Sequence, residues 1–259
     1  TDAVLEQLKL GTVHLYAEGS TYMKKWVPEI NWTSAAFMFD DRDHWIRFME
    51  TDLVQGWYNK ASEEAGISLL GDATSILRGP YRVMVTNRNV KTFDDISMLK
   101  LRMHPSKLAV NTWTHLGADV KTLAWTDVYQ SIQKGIVESV NSPIALVESM
   151  RFHEVAPNII RHDEYYQSIG FMMNRSKFDA LSGDMQNALE KAYFDAGKYS
   201  NEVMGSSADE SIKRMKASGV SFVDIDRAPF VARMKAFYDD MESKGELPDG
   251  FLDAVASSR

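Results

Sequence analysis

Arg102 closes the short run Leu99-Lys100-Leu101-Arg102, which continues into Met103 and has the alternation of a strand. A guanidinium is a planar fork that matches both oxygens of a carboxylate, and the carboxyl ends of strands are where α/β sheets bind their ligands. The plain alternative is an arginine paired with a surface acid, which is the fate of most arginines. Reaction chemistry finds less support. With Cys 0, disulfides, thiolate metal sites and cysteine nucleophiles are excluded. The histidines are scattered, and His153-Glu154 is not followed by a second histidine at zincin spacing. No metal site or cofactor is expected. Gly66 and Gly71 have the spacing of a phosphate loop, but Asp72 stands where a lysine is required and would repel a phosphate. The chain has neither a G-x-S-x-G elbow nor a G-x-G-x-x-G fingerprint. Acid pairs such as Asp40-Asp41 and Asp239-Asp240 read as solvated surface.

The elements that must position Arg102 alternate between strand and helix. Leu5, Leu8 and Leu10 ahead of Gly11 predict a short amphipathic helix, followed by a β-prone run from Thr12 to Ala17. Trp45, Ile46, Met49, Leu53 and Trp57 predict one helix from Asp43 to about Ala65, stopped by Gly66. Strands follow at 66–70 and 81–86. Thr92 and Asp95 form a capping box, Ser106 caps a helix that ends at Gly117, and Val120 to Leu123 is a strand. Thr126 caps a helix over 127–134. Such alternation predicts a parallel sheet covered on both faces. After a β-prone run over 164–173, Ser182 opens a helical stretch to Ser218. At about 50 Å it is too long for one small lobe, and Gly205-Ser206-Ser207 offers a place to kink. A strand over 220–225 and a last helix over 228–243 complete the reading.

At 259 residues the chain exceeds one compact domain, so two interwoven lobes are expected. A net charge of -7 without a basic stripe argues against nucleic acid as a partner. No apolar run approaches the roughly 20 residues needed to span a bilayer.

Asn89 to Ile96 followed by Leu99-Lys100-Leu101-Arg102 resembles the most recognisable stretch of the DctP-type solute-binding proteins of TRAP transporters. His115-Leu116-Gly117-Ala118 is similar to that family's "lGa" turn, Trp125 to Glu138 to its "fsEvyqALqtGvvD" run, and Pro143 to the end of its "ENP". Leu5 to Val13 also resembles the family's "q.lq.Gt.d" segment. The resemblance implies an α/β, two-lobe, type II periplasmic-binding-protein-like fold with hinge strands and a long hinge helix. Residues 1–79 with 168–207 would form one lobe and 80–167 with 208–259 the other. It also implies a monomeric, exported, periplasmic, non-enzymatic protein that delivers a small organic acid to a TRAP membrane permease. A sensor's ligand domain and an α/β enzyme acting on a carboxylate are the rival readings.

The resemblance places the ligand carboxylate on Arg102. Arg82 matches a second arginine that contacts ligand in several branches, with an exposed cation on a lobe-spanning strand as an equal alternative. Trp125 falls where the family has an aromatic lining the pocket, although a hydrophobic staple fits it equally. His104, Tyr166 of the pair Tyr165-Tyr166, and Glu18 complete the expected ligand-binding residues. Ser142 occupies the position of the family's ligand-binding asparagine, with Asn141 beside it facing the other way on a strand. Met98 replaces the family's glycine before the strand of Arg102. The family's opening strand-helix-strand unit, of on the order of 30 residues, has no counterpart ahead of Thr1, so exposed sheet edges are expected in the first lobe.

Overall fold

The computed structural model describes residues 1–259. Its strands in chain order are β1 (Leu15–Gly19), β2 (Ile67–Leu69), β3 (Arg82–Thr86), β4 (Lys100–Met103), β5 (Asp119–Thr122), β6 (Ser139–Pro143), β7 (Asn158–Arg161), β8 (Ile169–Asn174) and β9 (Ser221–Asp224). They form two sheets, one of order β1-β8-β2 and one of order β5-β4-β6-β3-β7-β9. The smaller sheet is antiparallel throughout, with β1 and β2 as its edges. The larger is mixed rather than parallel. β4 runs parallel to β5 and β6, whereas β3 runs antiparallel to both β6 and β7.

The chain passes between the sheets from β2 to β3 and again from β7 to β8, so the sheets are tied by two short crossings. A third crossing is the helix Gly183–Ala217, about 52 Å long at 1.5 Å per residue. Tyr193, in its first half, packs with Leu70, Ile76 and Met173 beside the smaller sheet, and its hydroxyl donates to the Asp72 carbonyl. Ala208 and Met215, in its second half, pack under Val83, Val85 and Val140 of the larger sheet. Helical hydrogen bonding continues through Gly205, where the sequence predicts a kink. Gly197 is where backbone approach is closest, since a Cβ there would lie 2.7 Å from the Ser75 carbonyl oxygen.

Local chemistry explains where the elements start and stop. The helix read over 43–65 is two helices, Arg42–Met49 and Asp52–Ala65. Thr51 interrupts it because its side chain accepts from the Val54 amide and restarts the helix, while Asp41 caps the first piece through the His44 amide. Thr126 does not cap: a 3₁₀ turn at Trp125–Asp127 leads directly into the helix Val128–Gln133. The Thr92–Asp95 capping box, the Ser106 cap and the left-handed Gly66 form as the sequence predicts. Leu5 and Leu8 are buried, but Leu10 falls outside the first helix and is exposed.

The helix Ala228–Ser243 is not the last. Phe251–Ser257 follows it and packs on the 28–48 segment, with Trp32 against the Phe251 ring and His44 Nε2 bonded to the Val255 carbonyl. The Tyr238 hydroxyl donates to the Ala36 carbonyl from the preceding helix. The main core therefore runs continuously from Leu5 and Trp45 through Phe230 to Met84 and Leu101 of the larger sheet.

Met98 sits at φ 57 with its side chain largely exposed. A side chain in the left-handed region costs roughly 1–2 kcal/mol, against about 0.5–1 kcal/mol for the extra unfolded-state freedom of glycine. Met98→Gly is therefore expected to raise the melting temperature by about 1–3 °C in calorimetry. A lower melting temperature would mean that the exposed thioether contributes packing not visible in its burial.

Candidate functional site

A cavity of about 230 Å³ opens between the 18–34 segment beside the smaller sheet and the strand ends of the larger one. β4 brings Arg102 to its wall and the loop after β4 brings His104, while β3 and β6 contribute Arg82 and Asn141. Trp125 enters from the 3₁₀ turn, and Glu18 from β1. Five of the expected residues, Arg102, Arg82, His104, Trp125 and Glu18, thus line one space.

Two do not. Ser142 is fully buried and spends its hydroxyl on the Pro143 carbonyl. The register explains why: Arg82 pairs with Pro143 and Met84 with Asn141, so Asn141, Pro143 and Arg82 share the cavity face and Ser142 points through the opposite one with Val83. Asn141 and Ser142 face opposite ways, as alternation requires, but Asn141 is the one that reaches the cavity. Tyr166 likewise turns away, against the Trp45 ring at 6.1 Å, and Tyr165 lines the cavity in its place.

Arg102 is 5% exposed. Its Nε and Nη2 donate to the Leu123 carbonyl at 3.0 and 2.7 Å, and its guanidinium lies 5.3 Å from the Trp125 ring centroid. That ring is itself braced edge-on by Phe152 at 5.0 Å. The shared carbonyl occupies one side of the fork and leaves the edge made by Nη1 and the second Nη2 hydrogen for another acceptor. Burial, helped by nearby Arg82, pushes the guanidinium down to about 10, so it stays charged at neutral pH while lacking an acid partner.

Arg82 is held differently. Its Nε donates to the Glu164 carboxylate at 3.3 Å and its Nη1 to Gln167 at 3.3 Å, with the guanidinium 4.3 Å from the Tyr165 ring centroid. Glu164 is 2% exposed and also accepts from the Trp113 indole N–H and from Asn141 Nδ2. Burial raises its carboxyl above the ordinary range, and the Arg82 charge and these donors act against that rise. Asn141 Oδ1 in turn faces His162 Nε2 at 3.2 Å, while His162 Nδ1 accepts from the Glu164 amide. That second bond fixes the neutral, Nε2-protonated tautomer, and the chain of bonds fixes which way the Asn141 amide points.

Sequence reasoning overlooked Glu164, Gln167, Arg78 and Lys24. Arg78 pairs with Glu18. Lys24 Nζ donates to Asn31 Oδ1 at 3.0 Å and to Ser106 Oγ at 3.4 Å. Lys24 and Arg78 lie in a 3₁₀ turn and a loop, where no periodicity separates an inward from an outward cation.

A larger groove of about 400 Å³ lies beside β2, but its walls carry Glu63, Asp179 and Glu190 against Arg175 alone. Its field repels an acid, and the 230 Å³ cavity, lined by Lys24, Arg78, Arg82 and Arg102 against Glu18, attracts one.

Two histidines near the site set an acid limit. Burial, followed by the charges of Arg82, Lys24 and Arg102, lowers His104 to about 3. Burial, followed by Arg82 and Arg227, holds His162 well below the usual imidazole range. Both stay neutral in the fold, whereas the unfolded chain takes up their protons near 6.5. Their contribution is complete above that pH and is lost as pH falls below it, for His104 down to about 3, by about 1.4 kcal/mol per pH unit for each proton. Glu164, shifted upward, acts in the opposite sense as pH rises above 4.5. His104→Gln isolates one histidine: urea unfolding at pH 7 and pH 5 should show wild type losing about 2 kcal/mol more than the variant. Equal losses would contradict the buried neutral state.

The family model described as bacterial extracellular solute-binding protein, family 7 (DctP), matches residues 1–244. The chain belongs to this family. Among curated relatives of this family 7 protein, a solute-binding protein of Sulfitobacter sp. is 27% identical over 199 residues, covering 76% of this chain and 58% of that protein. The 2,3-diketo-L-gulonate-binding periplasmic protein YiaO of Escherichia coli is 25% identical over 253 residues, covering 96% of this chain and 74% of that protein. A TRAP periplasmic solute-binding protein of Ochrobacterium anthropi, solved with bound L-fuconate, superimposes with a TM-score of 0.87 at 20% identity, covering 100% of this chain and 83% of the other. That likeness shows the two-sheet fold. No helix of the family 7 chain is long and apolar enough to cross a membrane.

Proposed function

We propose that the chain captures a small organic acid in the 230 Å³ cavity and presents it, chemically unchanged, to the membrane permease of a TRAP transporter outside the cytoplasm. The observation that carries this reading is Arg102, a buried guanidinium whose bonds go to one backbone carbonyl and whose open edge has no acid. A charge removed from water without a partner costs several kcal/mol, and a ligand carboxylate relieves that cost. The relatives fit: YiaO is named for 2,3-diketo-L-gulonate and the Ochrobacterium protein holds L-fuconate, both sugar acids.

Arg102, Trp125, Arg82 and His104 would contact the acid from the larger sheet, and Glu18 with its Arg78 partner from the smaller one. We assign one lobe to each sheet, with 1–79 and 168–207 around the smaller and 80–167 and 208–259 around the larger. An acid contacting both halves favours the closed arrangement, because only there are all its contacts made. A thermal-shift screen of organic acids tests the reading. An acid present at a hundred times its dissociation constant adds about 2.7 kcal/mol of stability and should be recovered intact by mass spectrometry. Stabilisation by neutral sugars alone, or turnover of the bound acid, would refute it.

A further inference from the structure

The helix Gly183–Ala217 leaves an apolar face uncovered along the half that lies beside the smaller sheet. Tyr193 and Gly197 of that half point into the protein, the latter against the Ser75 carbonyl. At about 100° per residue, Met185, Ala188, Ala192, Ala196 and Tyr199 share a different arc, about 80° wide. All five are exposed, Met185 by 55% and Tyr199 by 67%. One such residue alone on a surface needs no explanation, and alanine is a good helix former anywhere. What distinguishes this face is the order of sizes. Met185 and Tyr199 lie equally far on either side of Ala192, and so do Ala188 and Ala196.

A face that runs large, small, small, small, large fits a second copy of itself in the reverse direction. With a twofold axis at Ala192, Met185 meets the partner's Tyr199 twice, a thioether against an aromatic ring, and the alanines between let the two helices approach closely. The charges beside the face select the same direction. Asp184, Lys191, Asp195, Lys198 and Glu202 follow one flank. Antiparallel pairing brings Lys191 near the partner's Asp195 and Lys198 near the partner's Asp184, whereas parallel pairing sets every charge against its own copy. Lys191 and Asp195 bond within their own helix at 2.5 Å but are both exposed, so they are free to be shared. Glu202 also approaches the partner's Asp184, so the flank orients the pair more than it strengthens it.

We propose that this face is a self-association surface, on which two copies of the chain pair antiparallel through Met185, Ala192 and Tyr199. None of these residues lines the 230 Å³ cavity, and the face ends before Gly205, so the pairing does not depend on the organic-acid reading. The seam is about 21 Å long and one helix, about 10 Å, wide. That is well short of the roughly 800 Å² per partner of a stable complex, so the pair is a weak one, with a dissociation constant on the order of 100 μM.

Sedimentation velocity of the whole chain from about 5 to 500 μM tests this. The protein should pass from monomer to mostly dimer across that range. Ala192→Glu puts two carboxylates together on the axis and should weaken the dimer at least tenfold, without lowering the melting temperature, because the position is exposed. A chain that stays monomeric at 500 μM, or a dimer that survives in Ala192→Glu, overturns the proposal. Crosslinking checks the register separately, since the chain has Cys 0 and an introduced thiol is the sole one. With oxidised glutathione as oxidant, Ala192→Cys should form disulfide-linked dimers at least tenfold faster than Lys213→Cys, an exposed site farther along the same helix. Equal rates at the two positions would contradict a twofold axis at Ala192.

Discussion

Arg102→Ala is expected to lower the affinity for the cognate acid about a hundredfold and to leave the protein folded. The loss follows from the environment of the guanidinium. Arg102 is buried, fixed by the Leu123 carbonyl and backed by Trp125, so its open edge is preorganised and loses little rotamer freedom on binding. Removing it leaves the ligand carboxylate desolvated without its fork, and truncating one side of such a pair costs about 2–5 kcal/mol, where 2.7 kcal/mol is a hundredfold. The fold survives because the free protein gains from losing an unmatched buried charge. Arg102→Lys should recover only part of the affinity, since an ammonium cannot reproduce the planar pair of bonds. Titration calorimetry with an acid found by thermal shift measures each value. A loss under threefold for the alanine variant would contradict the site.

Glu164→Ala has the largest expected effect on stability. Its carboxylate accepts from Arg82, from the Trp113 indole and from Asn141, all in a space with almost no solvent. The truncation leaves an unpaired guanidinium and an unbonded indole N–H together, and breaking a buried pair in this way costs about 3–5 kcal/mol. It also frees the Asn141 amide that faces the cavity. Replacing both partners in Arg82→Met/Glu164→Met removes both charges and should recover most of the loss, although the Trp113 donor stays unmatched. Urea unfolding reads both variants. A single variant within 1 kcal/mol of wild type would show that the pair contributes little.

Much of this arrangement was legible in the residues and part was not, and the boundary has a physical basis. The β4 run with Arg102, the Thr92–Asp95 box and the Ser106 cap are local: each is decided by a few adjacent residues, so the order of elements around the cavity could be read directly. The phase of β6 could not. Strand alternation says that Asn141 and Ser142 face apart, but only the pairing with β3 decides which of them shares a face with Arg82. The same one-residue ambiguity separates Tyr165 from Tyr166. Thr51 and Thr126 show the limit of capping signals, since the same residue type restarts a helix at one position and is passed over at the other. Lys24, Arg78 and Glu164 escape for another reason. A charge in a turn or loop reads as surface until long-range packing closes over it, and Lys24 meets Ser106, Arg78 meets Glu18 and Glu164 meets Arg82 only through contacts distant in sequence.

A crystal structure of the protein with the acid that stabilises it tests the central claim most directly. Both oxygens of one ligand carboxylate should lie within hydrogen-bond distance of Arg102 Nη1 and Nη2, with Nε still on the Leu123 carbonyl and the ligand body against Trp125. An acid seated instead in the groove beside β2, with the Arg102 edge still empty, would contradict it.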